Sequence, residues 1–304
     1  MKIVATSPSF SKNIKLQKEI LSYFPDAKLN LEGKRFSKEQ LIEFIGDADG
    51  LIVGLENIDD EVISKCSNLK IVSKYGVGLN NITFKNRDIK IGWVGGVNRL
   101  SVAEMVLGYM LMLSRNLYQT SNQLKSGIWN KSGGFQLSGK TVGIIGVGYI
   151  GKEVIRLLKP FNCKILVNDI IEQTEYYNSV NVKEVDFETV LKESDFITVH
   201  TPFDSSTKNL IKMRELEMMK NSSFILNSAR GGIINENDLK TAIQNGEISG
   251  GAIDSYMTEP PEDKDLIQIP NLITTPHIGG NSAEAIELMG MSAIQNLKEF
   301  FRID

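Results

Sequence analysis

Short apolar runs and longer amphipathic stretches alternate along the first third of the chain. The apolar runs, at residues 3–5, 50–53 and 70–73, are rich in β-branched residues and predict strands. Between them, apolar residues recur at helical spacing over about residues 13–23 and again after Ser37. Strands separated by helices pair as parallel βαβ units, so we expect a parallel sheet in this region.

A second alternation of strand-like and helical patterns begins near residue 140. Its apolar runs predict strands at residues 140–145, 163–168, 195–200, 223–227, 250–254 and 271–275. These strands suffice for a complete doubly wound sheet, which carries helices on both faces. The chain then ends in a helix predicted over residues 283–301, which we expect to return to the first domain.

The longest helical pattern lies between the two series. Apolar residues recur at helical spacing from residue 101 to about residue 126, and Ser101 followed by Glu104 predicts a capping box at its start. The breadth of the apolar face suits a helix between domains or in a dimer interface, and equally a helix buried in a core. Together these patterns predict an α/β fold of two doubly wound parallel-sheet lobes. We expect residues 1–97 with 283–304 to form one domain and residues 98–282 to form the other.

The charge balance restricts the partners of the protein. The 304 residues carry 34 Lys and Arg against 37 Asp and Glu, and the formal net charge is −3. No strong positive field therefore attracts nucleic acid or an anionic membrane surface. No apolar run is long enough to span a bilayer, and the first residues lead directly into a strand-like run rather than a secretion signal.

The two cysteines of the sequence, Cys66 and Cys163, lie far apart in apolar surroundings. They form no metal-binding or redox motif and are typical of small core residues. We therefore expect a cytoplasmic protein that binds no nucleic acid, no membrane and no metal.

A glycine-rich turn, Gly146-Val147-Gly148-Tyr149-Ile150-Gly151, follows the apolar run 142–145 and opens a helical stretch. The spacing GxGxxG is a weak signal alone, but with the strand, the helix and Asp169 at the end of the next strand it forms the pattern of a dinucleotide site. Gly146 would permit the tight turn, Gly148 would let a pyrophosphate meet the backbone, and Gly151 would let helix and strand pack closely. The N–H groups of Tyr149 and Ile150 would point at the anion. Since Asp169 would bind ribose hydroxyls and repel a 2′-phosphate, the motif predicts NAD rather than NADP.

Three polar side chains follow later predicted strands. Arg230 lies between an apolar strand and two glycines, where its planar fork suits a carboxylate. Glu259 precedes two prolines, and His277, one of two histidines in the sequence, follows a further proline. Singly, the three also fit a surface salt bridge, a solvated loop carboxylate and a structural histidine. Together they indicate a site, because ligands of doubly wound sheets bind at the carboxyl ends of the strands.

The three residue types suit hydride transfer to a 2-keto acid. Reduction leaves negative charge on the carbonyl oxygen and requires a proton donor, a role that we assign to His277. Glu259 would favour the imidazolium and fix its tautomer, while Arg230 would hold the substrate carboxylate and polarise the carbonyl. In the oxidative direction neutral His277 is the base.

The chain resembles the D-isomer-specific 2-hydroxyacid dehydrogenases over nearly its whole length, and the short phosphoglycerate dehydrogenases in particular. The matching motifs are Gly76-Val77-Gly78, Ser101-Val102-Ala103-Glu104, the GVGYIG turn with Asp169, Val199-His200-Thr201-Pro202 with Thr207, Asn227-Ser228-Ala229-Arg230-Gly231-Gly232, Gly251-Ala252-Ile253-Asp254, Glu259-Pro260 and Thr275-Pro276-His277-Ile278-Gly279-Gly280. The resemblance implies a flavodoxin-like substrate domain, a Rossmann NAD domain and a homodimer built mainly on the NAD domain. It also implies Arg230 as substrate clamp and Glu259 with His277 as the acid–base pair.

The same resemblance implies two sets of binding residues. The NAD contacts are expected at Gly146, Gly148, Tyr149, Ile150, Gly151, Asp169, His200, Thr201, Pro202, Thr207, Ser228, Ala229, Asp254 and Gly279. The substrate contacts are expected at Lys74, Tyr75, Gly76, Val77, Gly78 and Asn98. Lys74 could meet a substrate phosphate and Arg99 could reach the site, although both also fit solvated surface charges.

The substrate stays open among small carboxylates. Ser255-Tyr256-Met257 replaces the family's usual run after Asp254, which leaves the choice undetermined. We favour D-3-phosphoglycerate over glyoxylate, hydroxypyruvate or a longer 2-keto acid, and we expect no amino-acid regulatory domain after residue 301. Two further alternatives are a phosphite or formate dehydrogenase and an NAD-sensing protein of the corepressor kind.

Overall fold

The computed structural model describes residues 1–85 and 88–303. Their contacts divide the chain into two compact units. The first unit contains Met1–Asn98 together with the chain from Asn281 onward, and the second contains Arg99–Gly280. Within the described ranges, no helix combines the length and the apolar composition needed to cross a membrane.

The first unit is a parallel five-stranded sheet covered by helices. Numbered along the chain, its strands are β1 (Ile3–Ala5), β2 (Lys28–Leu29), β3 (Gly50–Val53), β4 (Ile71–Lys74) and β5 (Lys90–Gly92). Its helices are α1 (Pro8–Lys12), α2 (Ile14–Tyr23), α3 (Lys38–Ile45), α4 (Asp60–Lys65) and the last helix of the chain, α13 (Ala283–Phe301). The strand order is β2-β1-β3-β4-β5 with every pair parallel, which is the flavodoxin-like order.

Successive residues of the strands in this sheet point to opposite faces. Ile3 and Ala5 pack in the cluster that contains apolar residues of α2 and α13, whereas Val4 packs in the cluster that contains residues of α3 and α4. Both faces are therefore covered by helices, as a doubly wound parallel sheet requires.

The second unit contains a parallel seven-stranded sheet. Its strands are β6 (Thr141–Ile145), β7 (Lys164–Asn168), β8 (Lys183–Glu184), β9 (Phe196–Val199), β10 (Phe224–Asn227), β11 (Gly250–Ile253) and β12 (Leu272–Thr274). Its helices are α5 (Arg99–Ser114), α6 (Leu117–Lys125), α7 (Tyr149–Leu158), α8 (Thr174–Val180), α9 (Phe187–Glu193), α10 (Met213–Glu217), α11 (Glu236–Asn245) and α12 (Lys264–Ile267). The order β8-β7-β6-β9-β10-β11-β12 is the Rossmann order with one added strand. The predicted α/β fold of two doubly wound sheets is confirmed.

The two faces of this sheet bury separate clusters. One face packs against α5, α7 and α8, and the other packs against α9, α10, α11 and α12. The order of the strands reverses between β6 and β9, so their carboxyl ends diverge there and leave a crevice where such sheets bind ligands.

The prediction of one helix over residues 101–126 is wrong. Helix α5 ends at Ser114, and Asn116 adopts a left-handed conformation with φ of 50° before α6 begins. The side chains of α5 include many that are buried, whereas none of the residues of α6 is buried. Apolar periodicity continues across the break, because a pattern of side chains does not report a single left-handed residue.

The predicted capping box is also wrong. Helix α5 begins at Arg99, so Ser101 lies inside its first turn rather than before it. The Ser101 hydroxyl instead donates to the carbonyl oxygen of Gly279 at 2.6 Å. This hydrogen bond ties the start of α5 to the segment that follows β12.

Candidate active site

The carboxyl ends of the parallel strands in the second unit meet at one edge of the sheet. The segments that follow these strands contain the GVGYIG turn after β6, Asp169 after β7, His200, Thr201 and Pro202 after β9, Ser228, Ala229 and Arg230 after β10, Asp254 and Glu259 after β11, and His277 and Gly279 after β12. The topology therefore brings the predicted cofactor residues and the predicted catalytic residues to the same edge.

The three glycines of the GVGYIG turn differ in how much space there is for a side chain. Gly146 has φ of 89°, and a Cβ there would lie 2.8 Å from the carbonyl carbon of His200. A Cβ on Gly151 would lie 2.4 Å from the carbonyl oxygen of Gly146. A Cβ on Gly148 would meet nothing within 4 Å. Packing of the protein thus accounts for Gly146 and Gly151, whereas the space at Gly148 stays open beside the first N–H groups of α7.

Three buried polar atoms near this turn have no partner within the described residues. They are Nδ1 of His200, Oγ1 of Thr201 and Oγ of Ser228. Buried polar groups are normally hydrogen-bonded, so orphaned atoms indicate a ligand or ordered water. The open helix N-terminus and these atoms fit a dinucleotide, which presents an anionic pyrophosphate and several hydroxyl and amide groups.

Asp169 is held against the glycine turn. Its Oδ2 accepts the N–H of Val147 at 2.5 Å, and its Oδ1 accepts the N–H of Ile171 at 2.8 Å. A carboxylate oxygen can accept more than one hydrogen bond, so ribose hydroxyls can still bind. The neighbouring Ile170 is fully exposed.

His200 is an uncharged histidine. Its Nε2 lies 3.0 Å from Oγ1 of Thr198, and burial lowers the pKa of His200 to about 3. Thr207 belongs to the same loop, where its hydroxyl donates to the Pro202 carbonyl at 2.7 Å. This loop therefore offers neutral polar groups to the crevice.

Arg230 is a partly buried cation held by its own loop. Its Nη1 donates to the carbonyl oxygen of Ala229 at 2.7 Å, and its own carbonyl accepts the side-chain amide of Asn227 at 2.9 Å. Burial lowers the pKa of Arg230, and the charge of Glu259 opposes that shift. A guanidinium has five N–H donors, so most of them remain available for a carboxylate.

Glu259 and His277 form a hydrogen-bonded pair. His277 Nδ1 lies 2.8 Å from both carboxylate oxygens of Glu259. Oε1 of Glu259 also accepts the N–H of Tyr256 at 3.1 Å. Both side chains of the pair are about two-fifths exposed, so solvent or substrate can reach them.

Asp254 holds the backbone of the segment around His277. Its Oδ1 accepts the N–H of Ile278 at 2.9 Å, and its Oδ2 accepts the N–H of Gly279 at 2.8 Å. His277 has φ of 53°, a left-handed conformation that is uncommon outside glycine. The two hydrogen bonds that follow it fix this conformation, so Asp254 positions the histidine whatever else it binds.

Two residues for which the sequence predicted no role extend this network. The Thr275 hydroxyl donates to Oδ1 of Asp254 at 2.6 Å, and its oxygen is hydrogen-bonded to the hydroxyl of Tyr109 on α5. Burial is the main cause that raises the pKa of Tyr109. Nothing local marks either residue, because the threonine belongs to a strand end and the tyrosine to an apolar helix face.

A glycine allows the loops after β10 and β11 to touch. A Cβ on Gly231 would lie 1.9 Å from the carbonyl carbon of Tyr256. Only a residue without a side chain permits this approach. The segment that carries Arg230 is therefore packed directly against the segment that leads to Glu259.

All six predicted substrate residues lie in the first unit, and five of them form the end of β4 and the turn after it. Lys74 is 4% exposed, and its ammonium donates to the carbonyl of Gly54 and to Oδ1 of Asn81. The alternative of a solvated surface charge is therefore wrong for Lys74. The Tyr75 hydroxyl lies 3.0 Å from Ser9 Oγ.

The turn continues through Gly76, Val77 and Gly78, which also belong to the first unit. Gly76 has φ of 126°, the carbonyl of Val77 accepts the indole N–H of Trp93 at 2.9 Å, and Gly78 follows directly. The side-chain oxygen of Asn98 is buried without a partner in the described part of the chain. In the second unit, Nε of Arg99 lies 3.7 Å from a carboxylate oxygen of Glu153.

Comparison with known proteins identifies the family. The family model described as D-isomer specific 2-hydroxyacid dehydrogenase, NAD binding domain, matches residues 107–279. A D-3-phosphoglycerate dehydrogenase of Methanocaldococcus jannaschii is 34% identical over 99% of this chain and 58% of its own length. A hydroxypyruvate reductase of Thermotoga maritima is 34% identical over 89% of this chain and 90% of its own length.

A solved structure has the same fold. The crystal structure of a Thermus thermophilus protein superposes with a TM-score of 0.89 at 25% identity, and the match covers 99% of this chain and 97% of that one. The chain spans about half the length of the phosphoglycerate dehydrogenases that it matches. This protein therefore belongs to the D-isomer-specific 2-hydroxyacid dehydrogenase family, with residues 107–279 as its NAD-binding domain.

Proposed function

We propose that this protein is an NAD-dependent dehydrogenase that interconverts a small D-2-hydroxy acid and its 2-keto acid. The observation that carries the proposal is the pairing of His277 with Glu259 at 2.8 Å on the sheet edge that also contains the open glycine turn. A proton donor and a dinucleotide site at one edge are what reversible hydride transfer to a carbonyl requires.

NADH, when bound, supplies the hydride. The N–H groups of Tyr149 and Ile150 at the start of α7 would hold the pyrophosphate, and Gly148 leaves room for it. Asp169 would accept the ribose hydroxyls and repel a 2′-phosphate, which supports NAD over NADP. The orphaned atoms of Thr201 and Ser228 are further donors or acceptors for the cofactor.

His277 would move the proton. Reduction adds a hydride to the carbonyl carbon and a proton to the carbonyl oxygen, and the imidazolium of His277 gives that proton from Nε2. Glu259 accepts from Nδ1, so it orients the ring and stabilises its charge. In the reverse reaction neutral His277 takes the hydroxyl proton.

Arg230 would bind the substrate carboxylate. Its guanidinium is partly buried, so a charge-assisted pair with a carboxylate is stronger there than in water. A carboxylate held by two parallel N–H bonds also fixes the neighbouring carbonyl carbon in the orientation needed for hydride transfer.

Two substrates compete within the proposal. The D-3-phosphoglycerate dehydrogenases among the relatives support a phosphorylated hydroxy acid. The hydroxypyruvate reductase, which matches over nearly its full length, supports an unphosphorylated one.

A substrate panel tests the function. Purified protein with NADH is given 3-phosphohydroxypyruvate, hydroxypyruvate, glyoxylate and pyruvate, and NADH absorbance is followed; formate and phosphite are tested with NAD⁺. We expect turnover on at least one of the keto acids and a much lower rate with NADPH. Turnover on formate or phosphite alone would replace the proposed reaction. Tight NADH binding without turnover on any substrate would indicate an NAD-sensing protein instead.

We further propose that the protein forms a homodimer through its NAD-binding domain. Helix α6 and the segment after it expose large apolar side chains: Leu117, Tyr118, Leu124, Ile128 and Trp129. Exposed apolar side chains concentrated in one short segment are typical of an interaction site. A second copy of the chain is the partner that we expect, because an isologous contact buries the same patch on both copies.

Light scattering on two variants tests the dimer. Leu124→Glu should shift the protein to monomers. Leu31 is also 56% exposed but belongs to the first unit, so Leu31→Glu serves as the matched control and should leave the mass unchanged. A monomeric wild type, or a dimer that survives Leu124→Glu, would contradict this interface.

A cytoplasmic location remains our proposal as well. Cys66 and Cys163 are free thiols, and burial raises the pKa of each. Free thiols are usual in proteins of reducing compartments. Cell fractionation with an antibody against the protein measures the location directly, and recovery in a secreted or periplasmic fraction would contradict it.

A further inference from the structure

Glu236 is a carboxylate close to the Glu259–His277 pair that the mechanism above does not use. It is the first residue of α11, and its side chain reaches across to the segment that follows β11. There its Oε1 accepts the N–H of Met257 at 2.6 Å, in a hydrogen bond that is exposed although the side chain is half-buried.

The residues that Glu236 holds lead directly to the catalytic pair. Met257 follows Tyr256, whose N–H donates to Oε1 of Glu259, and both oxygens of Glu259 lie 2.8 Å from Nδ1 of His277. Glu236 and Glu259 thus hold two successive N–H groups of one irregular segment. A displacement of that segment would move the Glu259 carboxylate away from the imidazole.

The local charges show that the position of Glu236 has a cost. Burial raises the pKa of Glu236, and the nearby charges of Asp263 and Glu259 raise it further, while the Met257 N–H lowers it. Asp263 itself is paired with Lys240 on the same helix as Glu236. Tyr256 is a further titratable group near Glu236, and its pKa is raised to about 12, mainly by burial. A carboxylate placed beside two others is unfavourable, and the hydrogen bond from Met257 offsets part of this cost.

We propose that Glu236 is a positioning residue whose hydrogen bond to Met257 holds the 255–259 segment, and through it Glu259, at the distance that orients His277. The inference deepens the proposed function, since it rests on His277 as the group that exchanges the proton with the substrate. The acceptor oxygen performs this role, and the charge of the carboxylate does not.

Two conservative variants separate the acceptor from the charge. Glu236→Gln keeps an oxygen at the same reach and removes the charge, so we expect kcat within about threefold of the wild type. Glu236→Asp keeps the charge but is one methylene shorter, so we expect kcat to fall about 10- to 100-fold, the range for misplacement of a catalytic group by an ångström or less. The dissociation constant of NADH should stay within about twofold in both. The reverse order of the two variants, or no loss in Glu236→Asp, would overturn the proposal.

A double-mutant cycle with Glu259 tests the route of the effect. If Glu236 acts through Glu259, Glu236→Asp should cost less than about twofold in a Glu259→Gln background, because residues that act as a unit are not additive. An equal loss in both backgrounds would show that Glu236 acts by another route and would overturn the proposal.

A nuclear magnetic resonance measurement does not depend on turnover. The sequence has two histidines, so the ring ¹⁵N signals of His277 can be assigned with a His277→Asn control. In the wild type and in Glu236→Gln we expect the Nδ1 signal of a protonated, hydrogen-bonded nitrogen, and in Glu236→Asp a shift towards mixed tautomers. Unchanged signals in Glu236→Asp would contradict the positioning role. If the substrate panel fails but this shift appears, the proposed reaction is wrong and the positioning inference stands.

Discussion

The carboxyl edge of the seven-stranded sheet has two halves that are built from different chemistry. We call residues 146–151, 169 and 200–202 the cofactor half and residues 227–232, 254–259 and 275–279 the proton-transfer half. The cofactor half presents backbone N–H groups, glycines, the Asp169 carboxylate and neutral polar atoms of His200 and Thr201 that lack partners within the described residues. The proton-transfer half presents a cation, two carboxylates and a histidine that are linked to each other or to the backbone.

The two histidines of the chain show the difference most directly. His200, in the cofactor half, is partly buried and neutral, with a pKa near 3. His277, in the proton-transfer half, is exposed and paired with Glu259. A cofactor can be held by fixed dipoles that never change charge, whereas a proton donor needs access to the substrate and a partner that stabilises its charged form. The same residue type therefore has opposite environments at two places along one edge.

The largest effect should come from removing the histidine of the proton-transfer half. Asn tolerates the left-handed backbone of this position, so His277→Asn should fold while turnover falls roughly 10²- to 10⁴-fold. NADH binding, measured by fluorescence titration, should change less than about twofold because the cofactor half is untouched. Turnover within about threefold of the wild type would show that His277 does not transfer the proton.

The histidine of the cofactor half should instead affect stability in acid. The folded pKa of His200 is depressed to about 3 from 6.5, so as the pH falls below about 6.5 the unfolded chain binds a proton that the folded chain does not. The stability from this group is thus complete above about pH 6.5 and is lost as the pH falls towards 3, by roughly 2–3 kcal/mol at about pH 4.5. Urea unfolding of the wild type and His200→Asn at about pH 7 and about pH 4.5 measures this difference. An equal loss of stability in both proteins would show that His200 titrates normally.

A smaller effect should follow from cutting the buried network behind His277. Thr275→Val removes the hydroxyl that donates to Asp254, and it also removes the hydrogen bond between Thr275 and the Tyr109 hydroxyl. We expect a loss of about 1–3 kcal/mol in the free energy of unfolding, with a lower kcat because the His277 segment loosens. Thr274→Val is the matched control, since among the described residues its hydroxyl makes one long hydrogen bond, of 3.5 Å to the Ile267 carbonyl. Thermal unfolding compares the two, and equal losses would remove the special role of Thr275.

The smallest effect should come from Gly148→Ala in the cofactor half, which we expect to weaken cofactor binding without affecting folding. Because a Cβ on Gly148 meets nothing within 4 Å, Gly148→Ala should leave the melting temperature nearly unchanged while the dissociation constant of NADH rises about tenfold, or 1.4 kcal/mol. Gly108 on α5 is also in open space, so Gly108→Ala is the control and should leave NADH binding unchanged. If both variants bind NADH like the wild type, the open space at Gly148 is not where the cofactor approaches.

Much of the sheet architecture was predictable from local patterns. The predicted strands at residues 50–53 and 223–227 match β3 and β10 within a residue, and the predicted final helix matches α13. Asn13 and Ser37 cap α2 and α3 as their side-chain chemistry favours. The helix break at Asn116 and the true start of α5 at Arg99 escaped prediction, because side-chain periodicity does not specify the backbone conformation of single residues.

The sequence predicted which residues belong to the candidate site better than it predicted the hydrogen bonds among them. Arg230, Glu259 and His277 follow strands that the pattern already placed at one edge, and their catalytic roles stay predictions. The hydrogen bonds of Glu236 to Met257 and of Thr275 to Asp254 escaped prediction. A helix-start glutamate and a strand-end threonine are common in any sequence, and only the approach of distant segments makes them part of a site.

The sequence by itself determined the two parallel sheets, the glycine turn before α7 and the types of residue at the edge, because strand periodicity and glycine sterics are local properties. Only the tertiary structure decided that Lys74 is buried and that Asp254 holds the backbone beside His277. It also decided which histidine is neutral and which is paired. The burial and the hydrogen-bond partners of a side chain depend on residues far away in sequence, and these come together only when the strands take their order in the sheet.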